Sequence, residues 1–258
     1  ECKCGMVYGV KEWVYEGEMV FFVMIRRRPR FTIFPYARLF RCMQDCGLIS
    51  GNALFKESYY KAHEKDLLEL VEKGQHPKAL YIGCSDSRVL PNLMTKSAPG
   101  DLFVIRNVGN FVAPFKPDED FHSTASAIEY AVSVLKVKNI IVCGHTHCGA
   151  IAAVHDKDEL NDPDLIHTKK WLTLAEAPKK QALLALGENA NKDKLLRLTE
   201  KLSVISQLEN LLTYPSVKRG VDSKDIALHG WVYDIASGEI EYYDLENSQF
   251  LTMSSLKD

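Results

Sequence analysis

The stretch Cys143-Gly144-His145-Thr146-His147-Cys148-Gly149-Ala150 decides how the whole chain is to be read. Residues 139 to 142 before it are rich in β-branched side chains, the pattern of a buried strand, and residues 150 to 155 after it read as the first turns of a helix. His145 and Cys148, three positions apart, therefore fall on a strand-to-helix turn. In an open parallel sheet such turns lie beyond the carboxyl ends of the strands, where ligands gather. An imidazole and a thiol brought together there are metal donors, but two donors do not complete a zinc site. A second turn of the same kind has to supply the rest.

That turn is Cys84-Ser85-Asp86-Ser87-Arg88, which follows the short apolar run 79 to 82. Cys84, His145 and Cys148 make a Cys2His set with the fourth tetrahedral position open, the catalytic and not the structural pattern for zinc, and imply one Zn2+ per chain. Two thiolates cancel the charge of the ion. Its bound water is then less acidified than with three imidazoles, so neighbouring hydrogen bonds carry more weight. Asp86 and Arg88 stand two and four positions beyond Cys84, and on an extended turn both side chains face one way. A charge-assisted pair would keep Asp86 ionised and off the metal, free to orient a hydroxide. Cys143, inside the strand, reads as a small hydrophobe, and His147 should face elsewhere on so tight a turn.

The pairing of Cys-Ser-Asp-Ser-Arg at 84 to 88 with Gly-His-Thr-His-Cys-Gly at 144 to 149 resembles the β-class carbonic anhydrases. So do Pro99-Gly100-Asp101, Arg106-Asn107-Val108-Gly109-Asn110, Ala127-Ile128-Glu129-Tyr130-Ala131 and His229-Gly230-Trp231, and the likeness runs from about residue 51 to about residue 250. The resemblance implies zinc-dependent, reversible hydration of carbon dioxide to bicarbonate and a proton, with Asp86 and Arg88 as the orienting dyad. It also implies a substrate pocket of Gln75, Phe103, Val108, Tyr130 and Gly149, in a homodimer or dimer-based tetramer where N-terminal helices reach across and Gln75 enters the neighbour's site. Some members of the class have a second state in which the aspartate ligates zinc and bicarbonate fills a pocket containing a Trp three residues before the first Cys. Tyr81 stands there in this chain, so the open, water-bearing form is expected at neutral pH. Three other readings stay alive: a carbon disulfide or carbonyl sulfide hydrolase at the same ligands, a non-catalytic structural zinc protein with Asp86 as fourth ligand, and a redox sensor built on low-pKa cysteines.

The composition fits one large α/β domain: 258 residues, 46% hydrophobic and 26% charged. A net charge of −2 gives no electrostatic case for nucleic acid or for funnelling an acidic substrate. Seven cysteines in so long a chain argue for a reducing, cytoplasmic setting over a disulfide scaffold. The apolar run 19 to 25 falls far short of the roughly 20 residues a membrane helix needs, and the basic run Arg26-Arg27-Arg28-Pro29-Arg30 follows it, the wrong order for a secretory signal. Residues 20 to 41 are arginine-rich and acid-free, a faint mark of organellar targeting that Glu12, Glu16, Glu18 and the lack of Ser oppose. The expected division is an N-terminal arm, 1–42, and a zinc domain, 43–258, with Met43 a candidate for the authentic first residue. Cys2, Cys4, Cys42 and Cys46 are irregularly spaced with no His among them and read as free thiols.

Elsewhere the periodicities are plain. Residues 53 to 73 predict one or two amphipathic helices stopped by Gly74, residues 89 to 95 a short helical link, and 102 to 106 a strand with Phe103 and Ile105 on one face. A helix is expected over 124 to 135, a solvated loop or short helices over 156 to 170, and helices over 171 to 185 and 191 to 212. The last carries Leu195, Leu198, Leu202, Ile205 and Leu208 as its apolar stripe. Residues 226 to 234 and 239 to 245 read as a hairpin around 235 to 238. The fold class is α/β: a mostly parallel sheet flanked by helices with an antiparallel edge hairpin.

Overall fold

A computed structural model describes residues 12–15, 18–21, 47–118, 120–156 and 160–254. The four outlying cysteines Cys2, Cys4, Cys42 and Cys46, the Arg26 to Arg30 run and Met43 lie outside the described residues. The chain divides into two compact units, residues 1–64 and 65–258. In the first, β1 (Glu12–Tyr15) and β2 (Glu18–Phe21) pair as an antiparallel hairpin. Helix α1 (Leu48–Phe55) runs on through a π-type turn, Lys56–Tyr60. Tyr59 stacks between Phe55 and His63, with ring centroids 5.7 and 4.1 Å away.

Helix α2 (Glu64–Lys73) ends where expected, at Gly74, whose φ of 77° suits a residue without a Cβ. The second unit is built on a six-stranded sheet of β3 (Ala79–Cys84), β4 (Leu102–Asn107), β5 (Asn139–His145), β6 (Ala227–Tyr233), β7 (Ile240–Asp244) and β8 (Gln249–Thr252), in the spatial order β4-β3-β5-β6-β7-β8. The first four strands are parallel and the last two antiparallel, as the sequence predicts. The hairpin carries a third strand, β8, that four residues of Gln-Phe-Leu-Thr were too short to announce.

Alternation sorts the central side chains onto the two faces of the sheet. Leu80 and Ile82 of β3 join Ile140 and Val142 of β5 in one cluster with Ile128, Val204, Leu208 and Leu211 from the helices. Ala79, Tyr81, Ile141 and Cys143 point the other way, against Met94, Leu102, Trp231 and Tyr233. Both faces are covered, which is why β3 is buried along its whole length.

The helices that hold these faces are α3 (Pro91–Thr95), α4 (Ser123–Glu129), α5 (Gly149–His155), α6 (Ile166–Leu172), α7 (Glu176–Leu186), α8 (Lys192–Leu211) and α9 (Pro215–Asp222). The helix expected over 171 to 185 instead begins at Ile166, tightens to a 3-10 turn at Thr173–Ala175 and resumes at Glu176. Helix α8 matches its prediction in extent, but its face differs. Leu195 and Leu208 are buried as expected, whereas Leu198, Leu202 and Ile205 are only half-buried and Thr199, Glu200, Ser203 and Gln207 take the inner positions. A Cβ on Gly144 of β5 would stand 2.7 Å from Val204 Cγ2, so glycine there lets α8 lie close on the sheet. No helix among the described residues is long and apolar enough to cross a membrane.

Candidate metal centre

Strand register brings the two turns together. Gly83 pairs with Cys143 across β3 and β5, so both strands end at the same level, and Cys84 and His145 emerge side by side. Cys148 follows one tight turn later, as the residue that opens α5. His147 makes the turn possible by adopting the left-handed region, φ 57°, and its exposed side chain stands apart from the cluster. The two sulfurs and one imidazole nitrogen of Cys84, Cys148 and His145 all lie within 4.8 Å of one another. All three residues are buried, at 5%, 3% and 1% exposure.

These donors fit a divalent cation. His145 Nδ1 lies 2.9 Å from the carbonyl of Thr146, which makes Nδ1 the protonated nitrogen and leaves the lone pair on Nε2. That Nε2 is buried and has no hydrogen-bond partner. The thiols tell the same story. Cys84 is pulled below the ordinary thiol range, foremost by the hydrogen bond from Cys148, while Cys148 is pushed well above it by its hydrogen bond to Cys84 and by burial. Two thiols that perturb each other this strongly are close enough to serve one borderline-soft cation together. Cys143 differs: burial pushes its thiol up to about 12, as befits a core residue.

Asp86 and Arg88 lie beside this cluster. Arg88 Nε and Nη2 donate to Asp86 Oδ1 and Oδ2 at 2.9 and 2.7 Å, its backbone N–H adds a third bond at 3.0 Å, and Nη2 also reaches the His147 carbonyl at 3.0 Å. The Arg88 guanidinium holds the Asp86 carboxyl far below the usual carboxylate range, with burial opposing. Asp86 Oδ2 stands 3.9 Å from His145 Nε2. Arg106, which enters the sequence reading only as part of a motif, ties the first ligand loop from β4: its Nε donates to the Cys84 carbonyl at 2.9 Å and its Nη2 to the Asp86 carbonyl at 2.6 Å.

Glu200 is the residue sequence reasoning misses most plainly. Its Oε1 accepts the backbone N–H of Cys148 at 3.0 Å and its Oε2 lies 2.9 Å from Arg197 Nη1. Burial pushes its carboxyl up to about 7. The only signal in the sequence is an Arg and a Glu three apart on a helix, which ordinarily marks a solvated face.

The residues expected around the substrate are only partly drawn together. Phe103 and Tyr130 meet, with ring centroids 5.8 Å apart. Val108 and Tyr130 are 44% and 45% exposed, and nothing lies within 4 Å of where a Cβ of Gly149 would be, so the surface they offer is open. Gln75 is exposed in the turn before β3. It precedes β3, a strand that spans about 17 Å at the usual rise per residue and carries Cys84 at its carboxyl end. Tyr81 is fully buried, its hydroxyl directed at Met94 Sδ.

A mostly parallel sheet that offers Cys, His and Cys from two strand ends, with a clamped Asp alongside, defines an α/β protein with a buried cluster that could hold a metal ion. The carbonic anhydrase family model matches residues 79–240. A carbonic anhydrase of Synechocystis sp. is 41% identical over 197 residues, 76% of this chain and 70% of its own. The solved β-carbonic anhydrase CcaA superposes with a TM-score of 0.74 at 39% identity, covering 82% of this chain and 92% of that one. A tetrameric β-carbonic anhydrase of Sordaria macrospora does so with a TM-score of 0.65 at 29% identity, over 78% and 96%. The chain belongs to the β-class carbonic anhydrases and is an enzyme of that family.

Proposed function

We propose that this chain catalyses the reversible hydration of carbon dioxide to bicarbonate and a proton, with one zinc held by Cys84, His145 and Cys148 and with Asp86 and Arg88 as the orienting dyad. The observation that carries the reading is the buried, unpartnered Nε2 of His145 facing two sulfurs, with the Asp86 carboxylate 3.9 Å away. Zinc bound by these donors would supply a Lewis acid that lowers the pKa of water from 15.7 toward roughly 7 to 9, so that hydroxide is available near neutral pH.

The chain's own residues do the rest. Asp86 accepts the proton of the attacking oxygen in a hydrogen bond and so turns a lone pair toward the carbon. Arg88 occupies both Asp86 oxygens, which keeps the carboxylate ionised and favours the open form of the site over the one closed by aspartate. Val108 and Gly149, next to the two donor turns, offer uncharged surface, which suits a substrate with no charge to bind, whereas Phe103, in register with Leu80 near the amino end of β3, and Tyr130 beside it lie toward the same end as Gln75.

Gln75 precedes the amino end of β3 while Cys84 stands at its carboxyl end, so it would complete the pocket of a second copy. The sheet supports this reading: β4 is an edge strand, and Val104, Val108, Tyr130 and Val134 are exposed on or near it. Such a face suits a homodimer or a dimer-based tetramer; residues 43–258 would be the zinc domain, residues 1–42 an arm, and the setting cytoplasmic. Stopped-flow hydration of carbon dioxide with a pH indicator tests the function. Zinc-loaded protein that does not accelerate the indicator change, or that prefers carbon disulfide or carbonyl sulfide, would overturn it.

A further inference from the structure

The turn from His145 to Cys148 is a strained piece of backbone, because His147 is a residue with a Cβ in the left-handed region, which costs about 1 kcal/mol or more. Such a turn persists only when its surroundings fix it. Thr146 is fixed by its N–H to the Tyr233 carbonyl at 2.9 Å and by its hydroxyl to Asp234 Oδ1 at 3.1 Å, and His147 by Arg88. Glu200 is the side chain that grips Cys148 itself, through the backbone N–H at 3.0 Å.

The grip comes from a rigid element. Glu200 is 3% exposed in the middle of α8, a 20-residue helix pressed onto β5 and β6 where Gly144 and Gly230 admit Val204 and Leu208. Its neighbour Thr199 holds the far end of the same ligand helix, Oγ1 lying 2.9 Å from His155 Nε2. One turn of α8 thus clamps both ends of α5. Burial disfavours the charged form of Glu200, and Arg197, whose Nη1 lies 2.9 Å from Oε2 without forming a hydrogen bond, opposes that by its charge. Apolar packing would have stabilised the helix more cheaply, so the position of this carboxylate reflects what it touches.

We infer that Glu200, backed by Arg197, is a positioning residue of the metal centre: by accepting the Cys148 N–H it fixes the direction of the Cys148 sulfur, and with it the geometry of the donor set. The inference rests on the zinc reading above, and the two can fail separately. Cobalt(II) loaded in place of zinc reports thiolate ligation by charge-transfer absorption and tetrahedral geometry by its visible bands. Wild-type protein lacking thiolate absorption would sink the site assignment itself, and this inference with it.

With the wild-type spectrum established, three variants are compared for zinc dissociation constant, cobalt spectrum and kcat against KM. Glu200→Asp draws the carboxylate back by one methylene, beyond reach of Cys148, while keeping charge and polarity. It is expected to weaken zinc binding ~10- to 100-fold, shift the cobalt bands and lower kcat with KM little changed. Glu200→Ala should do the same or worse. Glu200→Gln keeps an acceptor for the Cys148 N–H and should restore the spectrum and most of the affinity. A Glu200→Asp protein that folds with wild-type cobalt spectrum and zinc affinity, losing only thermal stability, would overturn the inference. So would a Glu200→Gln protein that behaves like Glu200→Asp. Should Glu200→Ala fail to fold, the Asp and Gln variants decide alone.

Discussion

Arg88 meets Asp86 as a fork meets a fork, Nε on Oδ1 at 2.9 Å and Nη2 on Oδ2 at 2.7 Å, with the same Nη2 reaching the His147 carbonyl of the second ligand turn at 3.0 Å. One guanidinium therefore fixes the carboxylate and joins the two loops that carry the donors. The contact sits at the edge of the site, where Arg88 is half exposed and Asp86 only 16% exposed, so its worth lies in aim more than in stability.

If that aim is what matters, metal binding and turnover separate. Cys84→Ser removes a thiolate donor and is expected to lose zinc and activity together, since an alcohol is a far weaker ligand. Asp86→Asn keeps the donors and should retain zinc while kcat falls by roughly 10²- to 10³-fold, the usual loss when one orienting polar contact is removed. Metal content by mass spectrometry beside stopped-flow rates checks both. Equal zinc loss in the two variants would make Asp86 a ligand.

The fork also predicts that charge alone is not enough. Arg88→Lys keeps the cation but offers a single point donor, which cannot hold both oxygens and reach His147. Zinc should stay bound and kcat fall by roughly ten-fold or more, less than in Asp86→Asn. A Lys variant with the wild-type rate would show that the electrostatic field, and not the geometry, is what Arg88 supplies.

These donors were legible because each sits within a few residues of the end of a short apolar run, where strand and turn signals agree. Cys84, His145 and Cys148 converge because β3 and β5 are neighbours in register, and adjacent parallel strands are what such a sequence predicts. The supporting contacts were not legible. On α8 the reading followed leucines at helical spacing, but the face that meets the sheet and its loops must satisfy backbone N–H groups as well as fill space. Gln207 Oε1 accepts the Val112 N–H at 2.8 Å and Glu200 Oε1 that of Cys148, needs that arise only in three dimensions. Arg106 was visible as a motif, but its two bonds to the Cys84 and Asp86 carbonyls depend on the β3–β4 register, which no local pattern reveals.

The clamp at the other end of α5 gives the protein a pH-dependent component of stability. Burial, then Lys179, holds the His155 imidazole below its ordinary 6.5, with Lys192 acting the same way and Glu176 against, while Thr199 engages its Nε2. The unfolded chain therefore takes up this proton more readily than the folded one. The contribution is fully present above about pH 6.5 and is lost as pH falls through the lower folded value. The melting temperature of zinc-loaded protein, its metal content verified at each pH, should fall between pH 7.5 and 5.5, and less so in His155→Gln. Identical slopes for the two proteins would remove His155 from the account.

The assignment of Gln75 to a partner's pocket can be tested without a structure of the assembly. It precedes the amino end of β3 and the donors lie at the carboxyl ends of β3 and β5, so a site built in trans takes its glutamine from one copy and its metal ligands from the other. Gln75→Ala chains would then have metal sites lacking the glutamine, and Cys84→Ser chains would have intact glutamines but no metal. Mixed and allowed to exchange subunits, the two weak proteins form heterodimers in which one site has all its parts, the ligands from the Gln75→Ala chain and the glutamine from the Cys84→Ser chain. Stopped-flow activity should rise on mixing, toward one working site per heterodimer, and size-exclusion chromatography with light scattering should confirm that the dimer persists. If exchange occurs, as tagged subunits would report, and the rate stays at the average of the two parents, Gln75 acts within its own chain or not at all.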